Sequence, residues 1–137
     1  MGGGEPLSDF AKTHLVPMLA ARPQAFSVLA FEVGVLHTDA QAVGLVNCIE
    51  GFSTFACQPL VNVHDVAVLP DYRGLRIAEM MLALVEDIAR ERNACKLTLE
   101  VLQGNAGAVR LYHRVGFVSY QLDPAMGQAQ FLQKWLS

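Results

Sequence analysis

Charge is scarce in this chain. Of 137 residues only 10 are Lys or Arg and 13 are Asp or Glu, a net charge of −3. An acidic chain with so few cations is a poor match for nucleic acid or an anionic membrane, so neither is expected as a partner. Cysteine is sparse as well. Cys48, Cys57 and Cys95 lie far apart and form no C-x-x-C pair, which argues against a disulfide framework and for reduced cytoplasmic thiols buried as small apolar groups. No run approaches the ~18 apolar residues of a membrane helix, and the opening "MGGGEP" has neither the charged nor the apolar region of a secretory leader. His14, His37, His64 and His113 show no metal-ligand spacing, so no metal is expected. Walker, G-x-G-x-x-G and G-x-S-x-G sequences are also missing, which removes the common nucleotide loops and the hydrolase elbow.

What the chain does have is apolar content, 53% of its residues, enough to fill the core of one domain over residues 1–137, with residues 1–7 expected to be loose. Ser8 is placed to cap a helix carrying Ala11, Leu15, Met18 and Leu19 on one side, and Pro17 should kink or split it. Strands are expected at 25–34 and 42–51, paired as a hairpin around "LHTDAQ", and at 61–69, ended by Pro70. Ile77, Met80, Met81, Leu84, Val85, Ile88 and Ala89 then form an apolar stripe at helical spacing, with Asn93 as a stop. A strand at 95–102, a helix at 106–115 ended by Gly116 and two strands at 117–122 and 130–136 complete the order. The expected architecture is α/β, a mixed and mostly antiparallel sheet with helices on both faces and one parallel strand–helix–strand crossover at 61–102.

The stretch "RGLRIA", residues 73–78, joins the third strand to the long helix. A helix start offers unpaired N–H groups and the positive end of a dipole, which suits an anion such as phosphate. With one glycine and taken alone, it reads more readily as a plain connector. About 30 residues later comes "NAGAVRLYHRVGF", residues 105–117.

Together these two stretches resemble the GNAT N-acetyltransferase superfamily. The family's first motif is matched by Val68, Pro70, Tyr72, Arg73, Gly74, Ile77 and Ala78. Its second, N-x-x-A-x-x-L-Y-x-x-x-G-F, is matched by Asn105, Ala108, Leu111, Tyr112, Gly116 and Phe117. The resemblance covers about residues 8–136 and implies a GNAT-like fold with a splayed parallel strand pair. It also implies transfer of the acetyl group of acetyl-CoA to an amine by direct attack, the acceptor being a small molecule or a peptide. On this chain it places the CoA pyrophosphate on the N–H groups of Arg73, Gly74, Leu75, Arg76, Ile77 and Ala78. The pantetheine would lie along Val66 and Val68, and Asn105 would line the distal half of the cofactor. Tyr112 would protonate the departing thiolate, and Arg110 and Arg114 could reach the 3′-phosphate.

Two positions depart from the family pattern. Arg76 stands where the family has its second glycine; in a helical conformation it could still offer its N–H. And only "MGGGEPL" precedes Ser8, where the family has a further strand and helix. The strand at 25–34 is then expected to have an open edge that a second copy covers, giving a homodimer. The base for the incoming ammonium is open between His64 and Asp65, with Glu50 and Glu100 behind them and a water chain as a further option. Strict alternation puts Asn62, His64, Val66 and Val68 on one face and Asp65 and Ala67 on the other. Phe52 and Phe55 line an acceptor pocket or close the core. A module that binds CoA or an acyl-CoA without catalysis is the alternative reading.

Overall fold

The computed structural model describes residues 5–36 and 39–136. The expected looseness of residues 1–7 and the turn at 36–41 fall partly outside them. The chain divides into two compact units, one ending at Leu102 and the other starting at Gln103.

In the first unit the element order is α1 (Asp9–Ala20), β1 (Ala25–Val33), β2 (Ala40–Ser53), β3 (Gln58–Val68), α2 (Ile77–Glu91) and β4 (Leu97–Leu99). The sheet order is β1-β2-β3-β4. The first three strands are antiparallel neighbours, while β3 and β4 run parallel. The Ser8 hydroxyl accepts from Ala11 N–H at 3.2 Å and starts α1. Pro17 does not split the helix. It removes only the bond to Thr13, and on so exposed a helix that carbonyl can turn to water.

Directly opposed residues in a sheet point to the same face. One face therefore carries Gly44, Val46 and Cys48 beside Val68, Val66 and Val63; the other carries Leu45, Asn47 and Ile49 beside Ala67, Asp65 and Asn62. The first face is the core. Val46, Cys48, Val63, Met81, Val85 and Ala89 are all buried there, under α2. Gly44 lets α2 sit close, because a Cβ at that position would meet Met81 Cε at 2.8 Å and Ile77 Cγ2 at 3.2 Å. The stripe of α2 is rotated from the expected one. Leu82 is buried, whereas Met80 and Leu84 are exposed beside β1, the edge strand of the sheet among the described residues. At the far end of α2, Arg92 lies over the Phe26 ring at 4.7 Å, donates to Pro23 C=O at 3.3 Å and faces Glu50 at 3.6 Å. Of the thiols only Cys48 is buried; Cys57 and Cys95 are exposed.

The second unit holds α3 (Ala106–Arg114) and a 3-10 turn at Pro124–Met126. Residues 117–122 and 130–136, expected as strands, belong to no ladder. Their sequence favours extended backbone, but a strand is stable only when its main chain is paired. Val118, Leu122, Leu132 and Trp135 are each more than four-fifths exposed.

Candidate active site

The chain at 64–78 builds the site in the first unit. β3 pairs with β4 at Val61↔Leu97, Asn62↔Thr98 and Val63↔Leu99, and the pairing stops there. The expected strand at 95–102 is thus cut to three residues. The cause is a bulge in β3: Asn47 opposes Asp65 and Cys48 opposes Val63, so His64 is the extra residue with no partner. The bulge also resets the alternation. Val66 and Val68 fall on the core face with Val61 and Val63, not with Asn62, and Asp65 joins Asn62 on the opposite face. The face assignment expected from strict alternation is corrected accordingly.

Past the bulge the main chain of β3 is open on one side. Leu69 N–H donates to Val43 C=O at 2.9 Å, which marks the directly opposed pair 69/43 as hydrogen-bonded. An antiparallel ladder alternates, so 66/46 and 68/44 are the non-bonded pairs. The N–H and C=O groups of Val66 and Val68 consequently point away from β2, into the fork left by β4. One of them is engaged: Arg73 Nε donates to Val68 C=O at 3.1 Å.

The chain then turns through a 3-10 segment, Pro70–Tyr72. The Tyr72 hydroxyl donates to Glu32 on β1, and this bond, then burial, raises the phenol pKa. Arg73 N–H is taken by Pro70 C=O at 3.3 Å. The N–H groups of Gly74, Leu75, Arg76, Ile77 and Ala78 donate to no other backbone group among the described residues. Gly74 has φ +77° and Arg76 has φ +61°, ψ 20°. Arg76 is therefore left-handed, not helical as anticipated, and is the cap residue before α2. The segment needs the glycine conformation at this position and imposes it on an arginine. The result is a run of five N–H donors at a helix start with no backbone acceptor among the described residues, a geometry that fits a diphosphate.

On the other face of the sheet a polar row crosses three strands. Ser27 Oγ donates to Asn47 Oδ1 at 2.7 Å, and Asn47 Nδ2 donates to Asp65 Oδ2 at 3.1 Å. At the base of the fork Asn62 Nδ2 donates to Thr98 Oγ1 at 2.9 Å, and Asn62 Oδ1 is buried with no partner among the described residues. Sequence reasoning missed Ser27, Asn47, Asn62 and Thr98. The signal available for Asn47 was one amide inside the apolar run "AVGLVNCIEG". Glu50 is held by Arg92 on the α2 side of the sheet, an arrangement that suits a structural role. Phe52 and Phe55 are 57% and 102% exposed, so they do not close the core.

In the second unit Asn105 caps α3, its Oδ1 accepting from Ala108 N–H at 3.2 Å. Tyr112 is half-buried, with its ring edge-on to Phe117 at 5.9 Å. Burial raises its phenol pKa, so the group stays protonated at neutral pH. Among the described residues no set of three or more His, Cys, Asp or Glu could hold a metal ion, and no helix is long and apolar enough to cross a membrane.

The chain is similar to known proteins in sequence and in fold. A sequence model of the acetyltransferase (GNAT) family matches residues 7–117. Streptothricin acetyltransferase of Streptomyces lavendulae is 37% identical over 90 residues, 64% of this chain and 48% of that protein. An uncharacterized N-acetyltransferase of Archaeoglobus fulgidus is 35% identical over 81 residues, 58% of this chain and 55% of that protein. The chain thus spans about half the length of these curated relatives. In fold it is similar to AAC(6')-Iy, solved in complex with a bisubstrate analog, at TM-score 0.75 and 18% identity over 98% of this chain and 84% of that one. An aminoglycoside 6'-N-acetyltransferase from Acinetobacter haemolyticus gives TM-score 0.74 and 17% identity over 97% of this chain and 86% of that one. With the family match running from the start of α1 through the second motif, the chain belongs to the acetyltransferase (GNAT) family.

Proposed function

We propose that this chain is an acetyl-CoA-dependent N-acetyltransferase that passes the acetyl group directly to the amine of a small molecule. The observation that carries the reading is the fork after Val63. It leaves the outward main-chain groups of Val66 and Val68 without a strand partner, with Val68 C=O held only by Arg73, next to a turn whose N–H groups from Gly74 to Ala78 have no backbone acceptor among the described residues. The first feature suits the amides of pantetheine, which can add to an open strand edge, and the second suits a pyrophosphate. For the cofactor to use Val68 C=O, Arg73 must release it, and its guanidinium is then available to a phosphate. Asn105 would line the distal half of the cofactor. The small-molecule acceptor is taken from the names of the relatives, which act on streptothricin and aminoglycosides.

In the reaction the amine nitrogen forms a bond to the acetyl carbon and the C–S bond breaks. His64, turned out of the ladder by the bulge and exposed, takes a proton from the ammonium, with Asp65 as the other basic group beside it. Tyr112, kept protonated by burial, gives its phenolic proton to the thiolate as it leaves, and the phenolate takes back the second proton that the nitrogen sheds as the amide forms. We further propose that the chain acts in the cytoplasm, where its thiols stay reduced, and pairs through the open edge of β1 as a homodimer. Leu29, Phe31 and Val33 on that strand are each about half exposed.

The test is a thermal shift with acetyl-CoA followed by thiol release across a panel of amines. Both are expected. A shift without release supports a non-catalytic CoA-binding module, and no shift removes the reading altogether. Tyr112→Phe is expected to lower kcat by ~10²-fold or less with acetyl-CoA binding retained; unchanged turnover would exclude Tyr112 as the acid.

A further inference from the structure

The polar row lies on the face of the sheet opposite α2. Asn47 is only 8% exposed and sits between Val46 and Cys48, which are fully buried. An apolar residue would cost less there, so an amide at this position needs partners, and it has one on each side. The direction of the row is fixed by chemistry. A carboxylate only accepts, so Asn47 must turn its NH₂ toward Asp65 and its oxygen toward Ser27, whose hydroxyl donates. The outcome is one oxygen of Asp65 held and the other without a partner among the described residues. This exposed carboxylate stands one residue past the bulge, where β4 has just parted from β3.

Beside the row lies an apolar cleft of about 310 Å³ between α1 and the sheet. Leu15, Leu19, Leu29 and Leu45 line it, and Ser27 and Asn47 are in its floor. A carboxylate held by an amide that floors hydrocarbon-lined space matches a molecule in which a cationic amine is carried on methylenes. Pairing with a carboxylate also holds an ammonium in its protonated form, which is unhelpful to an amine that must attack as the free base. The carboxylate therefore suits a second cation of the acceptor better than the reacting nitrogen.

We propose that Ser27, Asn47 and Asp65 form an acceptor subsite in which Asp65 anchors the non-reacting ammonium of an aliphatic di- or polyamine, with Asn47 as the residue that positions it. This rests on the acetyl-transfer reading but deepens it to a substrate class.

The experiment compares 1,4-diaminobutane with butylamine, which differ by one cation. Thiol release is followed for the unmodified chain and for Asp65→Asn, Asn47→Leu and Ser27→Ala, and calorimetry measures 1,4-diaminobutane binding without acetyl-CoA. The unmodified chain should show a KM for the diamine about tenfold or more below that for butylamine, the value of one favourable charge pair. Asp65→Asn should bring the two KM values together, Asn47→Leu should remove most of the ratio, and the milder Ser27→Ala should move it the same way. Calorimetric affinity should fall in the same order. Equal KM values in the unmodified chain overturn the proposal, as does a ratio untouched by Asp65→Asn. A loss of kcat by the same factor for both amines with the ratio intact would make Asp65 the base and also overturns it. If no thiol is released but the diamine binds in an Asp65-dependent way, the subsite stands and the acetyl-transfer reading falls. Binding independent of Asp65 sinks the subsite whatever the turnover.

Discussion

Arg76 is the residue on which the turn before α2 is strained. A non-glycine residue in the left-handed region costs about 1–2 kcal/mol, because its Cβ crowds the following carbonyl. Its exposed side chain has no ion pair with another described residue that would offset this. Arg76→Gly is therefore expected to stabilise the protein by ~1 kcal/mol, less whatever the more flexible unfolded chain takes back. Urea denaturation would read it, and a destabilised variant would show that the arginine is held by interactions. Cys48 supplies a pH dependence. Burial pushes its thiol from 9.0 up to about 12, with Arg92 opposing. A raised folded-state pKa means that the neutral thiol is favoured in the fold, so its contribution is complete below pH 9 and is lost as pH rises toward 12. Stability should fall across that window with a slope of at most ~1.4 kcal/mol per pH unit, and Cys48→Ala should flatten it.

At the scale of elements, the seating of α2 on the sheet depends on Gly44. A Cβ there falls at 2.8 Å from Met81 Cε, which can swing away, but also at 3.2 Å from Ile77 Cγ2, which is branched and near the helix start. Gly44→Ala is expected to cost about 1 kcal/mol and Gly44→Val up to ~3 kcal/mol, measured by urea denaturation. Because Ile77 directly follows the turn proposed to hold the pyrophosphate, acetyl-CoA binding should weaken in both variants. The opposite end of α2 is fixed by Arg92, which has a ring, a carbonyl and a carboxylate as partners. Removing it as Arg92→Ala should cost about 1–3 kcal/mol, since a charge-assisted hydrogen bond is lost and Glu50 is left unpaired. A loss under 0.5 kcal/mol, roughly the scale of an ordinary surface change, would class the contact as incidental.

For the whole molecule, the open question is what happens at the edge of β1. Its outer main-chain groups have no strand partner among the described residues, and an apolar groove of about 410 Å³ lined by Leu75, Met80 and Leu84 runs beside it. Such an edge is a template for another strand. Light scattering at micromolar concentration is expected to give a dimer mass, and a charged residue on the edge, as in Val33→Lys, should shift it to monomer. A monodisperse monomer without that change would remove the homodimer.

Local chemistry wrote much of this protein into its sequence. Ser8 and Asn105 are caps recognisable from their place before a helix, the α2 stripe has helical spacing, and the two family motifs lie within single short segments. These features depend on residues a few positions apart, so periodicity and side-chain type suffice to find them. The fork was legible only through the family resemblance, and its physical cause was not legible at all. The extra residue at His64 exists only relative to the strand beside it, and it alone moves Asp65 to the face where Asn47 waits. The left-handed Arg76 and the loss of pairing at 117–122 and 130–136 belong to the same class, because they depend on where neighbouring main chain runs. Sequence determined the elements and the two family motifs; tertiary structure decided register, and register decided which side chains meet.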